Sequence, residues 1–133
     1  MALPNGSGGY QVGDGNLGDP LFFSQSAPTA LTAAATATPA QLVNGLFTFN
    51  GAAGDLTLPT VADLEAAYQP LGEKVDTAFD FFVVNIDGGS DDVTVAIGTG
   101  WTLVGAGQVD NGTSGHFRCR KTGSGTWTVY RVS

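Results

Sequence analysis

One histidine, one cysteine and a small group of aspartates are the side chains in this 133-residue chain whose types could do chemistry. As a general base, His116 needs a nucleophile to deprotonate and a carboxylate to orient its ring. Spacing along the chain suggests neither, so His116 reads as a surface or interface residue. Cys119 alternates inward with Phe117 and reads as a small buried apolar group rather than a reactive thiol. As the only cysteine it can make no disulfide within the chain. Asp87, Asp91 and Asp92 surround Gly88-Gly89-Ser90 and could offer oxygen ligands to calcium. Their spacing departs from the EF-hand loop, and turns use Asp and Gly equally well, so no metal is assigned. Trp101, Trp127 and Tyr130 could form a sugar-binding platform, although the core of a β-sandwich looks the same in sequence. Asn5-Gly-Ser and Asn111-Gly-Thr match the glycosylation sequon and read as turns. No glycine-rich segment follows a strand and opens a helix, and no carboxylate pair stands out for glycoside hydrolysis. The chain therefore reads as a non-enzyme with no cofactor.

Charge narrows the partners. Only 13% of residues are charged and the formal net charge is −7. An acidic chain lacks the basic face that nucleic acid or an anionic membrane needs. Four of the five basic residues, Arg118, Arg120, Lys121 and Arg131, lie near the end of the chain. No apolar run approaches membrane-spanning length, and Met1-Ala-Leu-Pro-Asn lacks the features of a secretory signal. A soluble product made in the cytoplasm is the expectation.

The elements that must position these residues centre on Ala78 to Ile86. This run is rich in aromatic and β-branched side chains and is stopped by Asp87-Gly88-Gly89, which predicts a central strand. Phe79, Phe81 and Val83 point one way and Phe82, Val84 and Ile86 the other. One set fills the core; the other needs a cover from a helix, the N-terminal arm or a neighbouring subunit. Residues 1–28 read as an extended glycine-rich arm, punctuated by Leu3, Tyr10, Val12, Leu17, Leu21, Phe22 and Phe23, which suits docking onto another protein. Residues 29–133 form the domain. Ala30–Pro39 reads as an edge strand and Ala40–Gly45 as a helical turn ended by glycine. Leu46–Asn50 and Asp55–Pro59 read as a hairpin. One amphipathic helix is expected after Thr60, whose pairing with Asp63 resembles a capping box, and Pro70 and Gly72 should end it. Short alternating strands follow at 91–97, 101–104, 108–110, 114–122 and 126–132. In the penultimate one Phe117, Cys119 and Lys121 share a face. Strands at this spacing predict an all-β sandwich or barrel.

Several stretches together resemble the small capsid decoration, or cement, proteins of tailed bacteriophages, including cyanophages. They are Ala2 to Leu17, Thr57-Leu-Pro59, Phe79 to Asn85, Thr99-Gly-Trp101, Ser114-Gly-His-Phe117 and Trp127-Thr-Val-Tyr-Arg131. The resemblance implies a jelly-roll-like β-sandwich assembled as a homotrimer on the outer capsid surface of the virion, stabilising the shell by bridging neighbouring major capsid protein subunits. In that setting Leu3, Pro4, Tyr10, Val12, Leu17, Phe22 and Phe23 of the arm are the expected capsid contacts. Phe82, Val84 and Ile86 are the expected oligomer interface. The alternative is a receptor- or glycan-binding module of a phage head fibre or tail fibre.

Overall fold

A computed structural model describes residues 22–133. The expected contacts Leu3, Pro4, Tyr10, Val12 and Leu17 lie outside the described residues. Residues 22–28, the remainder of the arm, form neither helix nor strand.

The first two-thirds of the described chain winds through repeated coils. Each coil places one strand in a larger sheet and the next in a smaller one. The first coil contains β1 (Thr29–Leu31) and β2 (Ala35–Thr36), followed by helix α1 (Pro39–Asn44). The second contains β3 (Leu46–Phe49) and β4 (Gly54–Thr57), followed by α2 (Val61–Ala67) and α3 (Gln69–Glu73). The third contains β5 (Ala78–Asn85) and β6 (Val93–Ala96). Like strands stack in parallel, so that Thr29, Phe47 and Val83 fall in one column and Ala35, Leu56 and Val95 in another. After the third coil the chain closes both sheets with β7 (Trp101–Val104), β8 (Gln108–Val109), β9 (Ser114–Gly123) and β10 (Thr126–Arg131). The larger sheet has the order β1-β3-β5-β9-β10-β7 and the smaller β2-β4-β6-β8. Both are mixed, because β9 pairs antiparallel with β5 and β8 pairs antiparallel with β6.

The first two coils share a local signature. Thr38-Pro-Ala-Gln-Leu42 opens α1, and Thr60-Val-Ala-Asp-Leu64 opens α2. In each, the threonine hydroxyl accepts a bond from the backbone N–H three residues on, at 3.2 Å. In each, the leucine four residues on is fully buried. In α1 the box is complete, since Gln41 Oε1 accepts in return from the Thr38 N–H at 3.0 Å. Gly45 then stops α1 with a left-handed φ of 81°, a conformation that costs glycine little.

These observations correct the expected all-β, jelly-roll-like sandwich or barrel with one short helix. The fold is mixed α/β, mostly strand, with three helices and two mixed sheets among the described residues. Parallel stacking of successive coils replaces the antiparallel hairpins that the turn signals suggested. Thus β3 and β4 do not form a hairpin: each finds its partners in a different sheet. The expected Ala30–Pro39 edge strand is broken by a bend at Thr32-Ala33, and Pro39 opens α1. Pro70 and Gly72 lie inside α3 rather than ending a helix. Pro70 is tolerated there because first-turn N–H groups have no partner within a helix anyway.

One core lies between the inner sheet faces and the helices. Phe47, Phe49, Phe81, Val83, Phe117 and Val129 reach it from the larger sheet, Leu56, Val93, Val95 and Val109 from the smaller, and Leu42, Val61 and Leu64 from helices. Phe81 stacks on Phe117 at 5.0 Å between centroids. Burial of about 25 cal/mol per Å² of apolar surface across this cluster is the main stabilising term. Asn85 is buried at the end of β5, but its amide donates to the carbonyls of Asp91 and Val109 and accepts from the Asp87 N–H. That cross-link ties the corner of the third coil to β8.

Candidate functional site

Because all three helices contact the inner side, the outer face of the larger sheet carries no covering layer among the described residues. Strand register lays its side chains out in rows. Leu46, Phe82 and His116 are neighbours across β3, β5 and β9. Asp80, Arg118, Tyr130 and Val104 form the next row, across β5, β9, β10 and β7. The former row is apolar apart from His116. Phe82 is 43% exposed and Ile86, just beyond β5, is 54% exposed; Val84, between them on the same face, is half-buried. The set Phe82, Val84 and Ile86 is thus brought together on one surface, and the opposite set, Phe81 and Val83 with Phe79 at its margin, packs the core.

The polar row contains the partner that spacing failed to give His116. Asp80 lies opposite Arg118, which donates to both its oxygens, Nε to Oδ1 at 2.7 Å and Nη2 to Oδ2 at 2.9 Å. His116 Nε2 is 2.8 Å from the same Oδ2. The Arg118 hydrogen bonds, helped by His116, hold the Asp80 carboxyl down to about 2. Asp80 is therefore an anion that only accepts, so Nε2 of His116 carries the proton and donates. Phe82 stacks on the imidazole at 4.3 Å between centroids. A His–Asp pair is half of a general-base arrangement, yet among the described residues no hydroxyl or thiol hydrogen-bonds to the His116 ring. What the cluster does is hold the His116 ring in place against Phe82.

Asp80 also sets a pH dependence. Its folded pKa lies below the unfolded value near 3.8, so its contribution to stability is present above about pH 4 and is lost as pH falls towards 2. We expect wild type to melt higher than Asp80→Asn at pH 6. The gap between the two melting temperatures should narrow as the pH is lowered from 4 to 2. A gap that stays constant over that range would show that the pair is too well solvated to matter.

The remaining candidates fall elsewhere. Trp101 and Trp127 are buried, with ring centroids 5.9 Å apart and indole N–H groups bonded to the Pro59 carbonyl and to Glu65. They cannot form an exposed sugar platform with Tyr130, whose hydroxyl accepts from the Arg120 guanidinium. Cys119 is buried and its thiol is pushed up by that burial, which makes it a poor nucleophile. Asp87 accepts from the N–H groups of Gly89 and Asp91, and Asp92 accepts from Asn111 and Gln108. These carboxylates serve turns, and among the described residues no three metal-ligating side chains converge. Lys121, placed on the inner face by alternation, is only 3% exposed and reaches Glu65 of α2. No family model matches this sequence, and no curated protein or solved structure matches it either. No helix among the described residues is long and apolar enough to cross a membrane.

Phe22 and Phe23, the part of the expected arm contact within the described residues, are 87% and 90% exposed. The chain is tied down just after them. Gln25 Nε2 donates to the Asn44 carbonyl at 3.0 Å and to Asn44 Oδ1 at 3.1 Å, and Asn44 Nδ2 donates to the Ala27 carbonyl at 3.1 Å. Asn44 precedes Gly45, whose carbonyl accepts from the Phe82 N–H. Asn44 stands two residues before Leu46, so the clamp anchors the chain that carries the two phenylalanines near the start of β3. Sequence reasoning missed Asp80, Arg118 and this clamp. The first two had a signal: Asp80 is the only charge in the apolar run and shares the parity of Phe82.

Proposed function

We propose that this chain is a capsid decoration protein of a tailed bacteriophage. It binds the outer surface of the assembled shell, bridges neighbouring major capsid protein subunits and associates with copies of itself as a homotrimer. It acts through binding rather than catalysis and needs no cofactor. The observation that carries the reading is the uncovered outer sheet face, where Leu46, Phe82 and Ile86 form an apolar band beside a fixed Asp80–Arg118–His116 cluster. Contiguous apolar surface of that kind marks an interaction site. The sequence resemblance supplies the identity of the partner, and the N-terminal arm supplies a second point of attachment. A protein that binds the closed shell and not its separated subunits stabilises the shell by mass action.

Removing residues 1–25 should leave a folded domain, because every core residue lies beyond Ser26. That truncated protein is expected to lose binding to capsids in a cosedimentation assay. Full occupancy by a truncated protein with an unchanged circular dichroism spectrum would refute the attachment through the arm. The rival glycan-binding reading loses Trp101 and Trp127 to the core.

A further inference from the structure

We infer that copies of this chain join head to tail, the Phe22–Phe23 pair of one copy seated on the Leu46–Phe82–Ile86 band of the next. The inference deepens the self-association in the reading above and rests on that part of it. Three observations lead to it.

The first is the clamp. Residues 25–27 are fixed to Asn44, so Phe22 and Phe23 are at most about 7–10 Å of extended chain from an anchored residue. Both rings stand in solvent, and Phe82 and Ile86 of the apolar band are also open to solvent. So anchored, the pair leaves both its own rings and the band of its own sheet exposed. A neighbouring copy satisfies both surfaces at once.

The second is charge. The outer face and its rim hold Asp76 and Asp80 against Arg118 and Arg120, and these pair with one another. Two negative and two positive charges cancel, so the chain's net −7 lies elsewhere. Two acidic copies repel over most of their surfaces. This face is where they can meet without facing like charge.

The third is symmetry. The donor, Phe22–Phe23, and the acceptor, the β3–β5 band, are different surfaces. A contact between unlike surfaces is heterologous and repeats until a ring closes, as a trimer requires. Face-to-face pairing of two identical bands would instead stop at a dimer and leave the phenylalanines uncovered.

The test uses the full chain without capsids, in size-exclusion chromatography with light scattering. The parent protein should run as a closed ring. A donor variant, Phe22→Ser with Phe23→Ser, and an acceptor variant, Phe82→Asp, should each run as monomers with parental circular dichroism spectra. An equimolar mixture of the two should form a dimer, because intact phenylalanines on the acceptor variant meet an intact band on the donor variant. That mixing result distinguishes a head-to-tail contact from a generally weakened interface. A monomeric parent, a donor variant that assembles as the parent does, or a mixture that stays monomeric would each overturn the proposal. A chain lacking only residues 1–21 keeps Phe22–Phe23 and should still form the ring. Its capsid binding is a separate measurement, so failure of the ring and failure of the decoration reading are distinguishable.

Discussion

Replacing Glu65 with alanine is expected to destabilise the protein by about 3 kcal/mol, the lower end of the range for stripping a partner from a buried ion pair. Lys121 occupies an inward position of β9 and its side chain is 4% exposed. Next to it, across the ladder, lies Trp127. A single oxygen, Glu65 Oε2, accepts from both Lys121 Nζ and Trp127 Nε1. Removing it strands an ammonium and an indole N–H together, and an unpaired buried charge is the costly case. Burial raises the Glu65 pKa, but the bonds from Lys121 and Trp127 and the Lys121 charge more than offset it, leaving the value lowered. The pair's contribution is thus present above the ordinary glutamate range and falls away as acid protonates the folded state. The discriminating comparison is Lys121→Met with Glu65→Leu. Replacing both ions by apolar groups of similar length should recover most of the loss in urea titration, because desolvation of the pair offsets much of its attraction. If the single and double variants are equally unstable, Lys121 is not the group that matters, and the Trp127 indole N–H left unpaired in both explains the effect.

The same residues show what was legible in sequence and what was not. Alternation put Lys121 on the inner face with Phe117 and Cys119 and put Phe82, Val84 and Ile86 on the outer, and both assignments match the structure. Period-two patterning reports local geometry, so it reads faces well. It is silent on which strand lies alongside which. Asp80 and His116 are 36 residues apart, and only antiparallel pairing of β5 with β9 brings them to 2.8 Å. Glu65 and Lys121 are 56 apart and meet because α2 packs on the inner face. The architecture failed for a related reason. Glycine-rich corners such as 51–54 look like hairpin turns, but they reverse nothing here; they carry the chain from one sheet to the other. The repeat that would have hinted at the coils, Thr-x-Ala-Gln/Asp-Leu, is short and occurs only twice, at 38–42 and 60–64. Its physical basis is clear once the strands are placed: the first two coils each end in a capped helix start with one buried leucine, whereas the third runs on into β7 without a helix.

Those corners yield the second large effect. Gly51→Ala is expected to lower stability by about 2–3 kcal/mol, the cost of forcing an extra methyl into a packed site. A Cβ built on Gly51 would fall 1.9 Å from the Thr32 carbonyl oxygen and 2.6 Å from its carbon. Both are backbone atoms of the first coil, so no side chain can rotate aside. The corner of the second coil fits against that of the first only because residue 51 lacks a side chain, and the chain at Thr32 must move for alanine to fit. Movement there pulls on β1, whose partner is β3. Ordinarily Gly→Ala at a compatible site gains about 0.4–1 kcal/mol by restricting the unfolded chain. Gly88, in the equivalent corner of the third coil, is such a control, since nothing lies within 4 Å of its added Cβ. The melting temperature of Gly51→Ala should fall by on the order of 10 °C, whereas Gly88→Ala should melt at or above the parent. The contrast isolates contact between coils from the general cost of stiffening a loop. Equal melting temperatures for the two variants would mean that the first coil does not press on the second, and that β1 is held only by its ladder to β3.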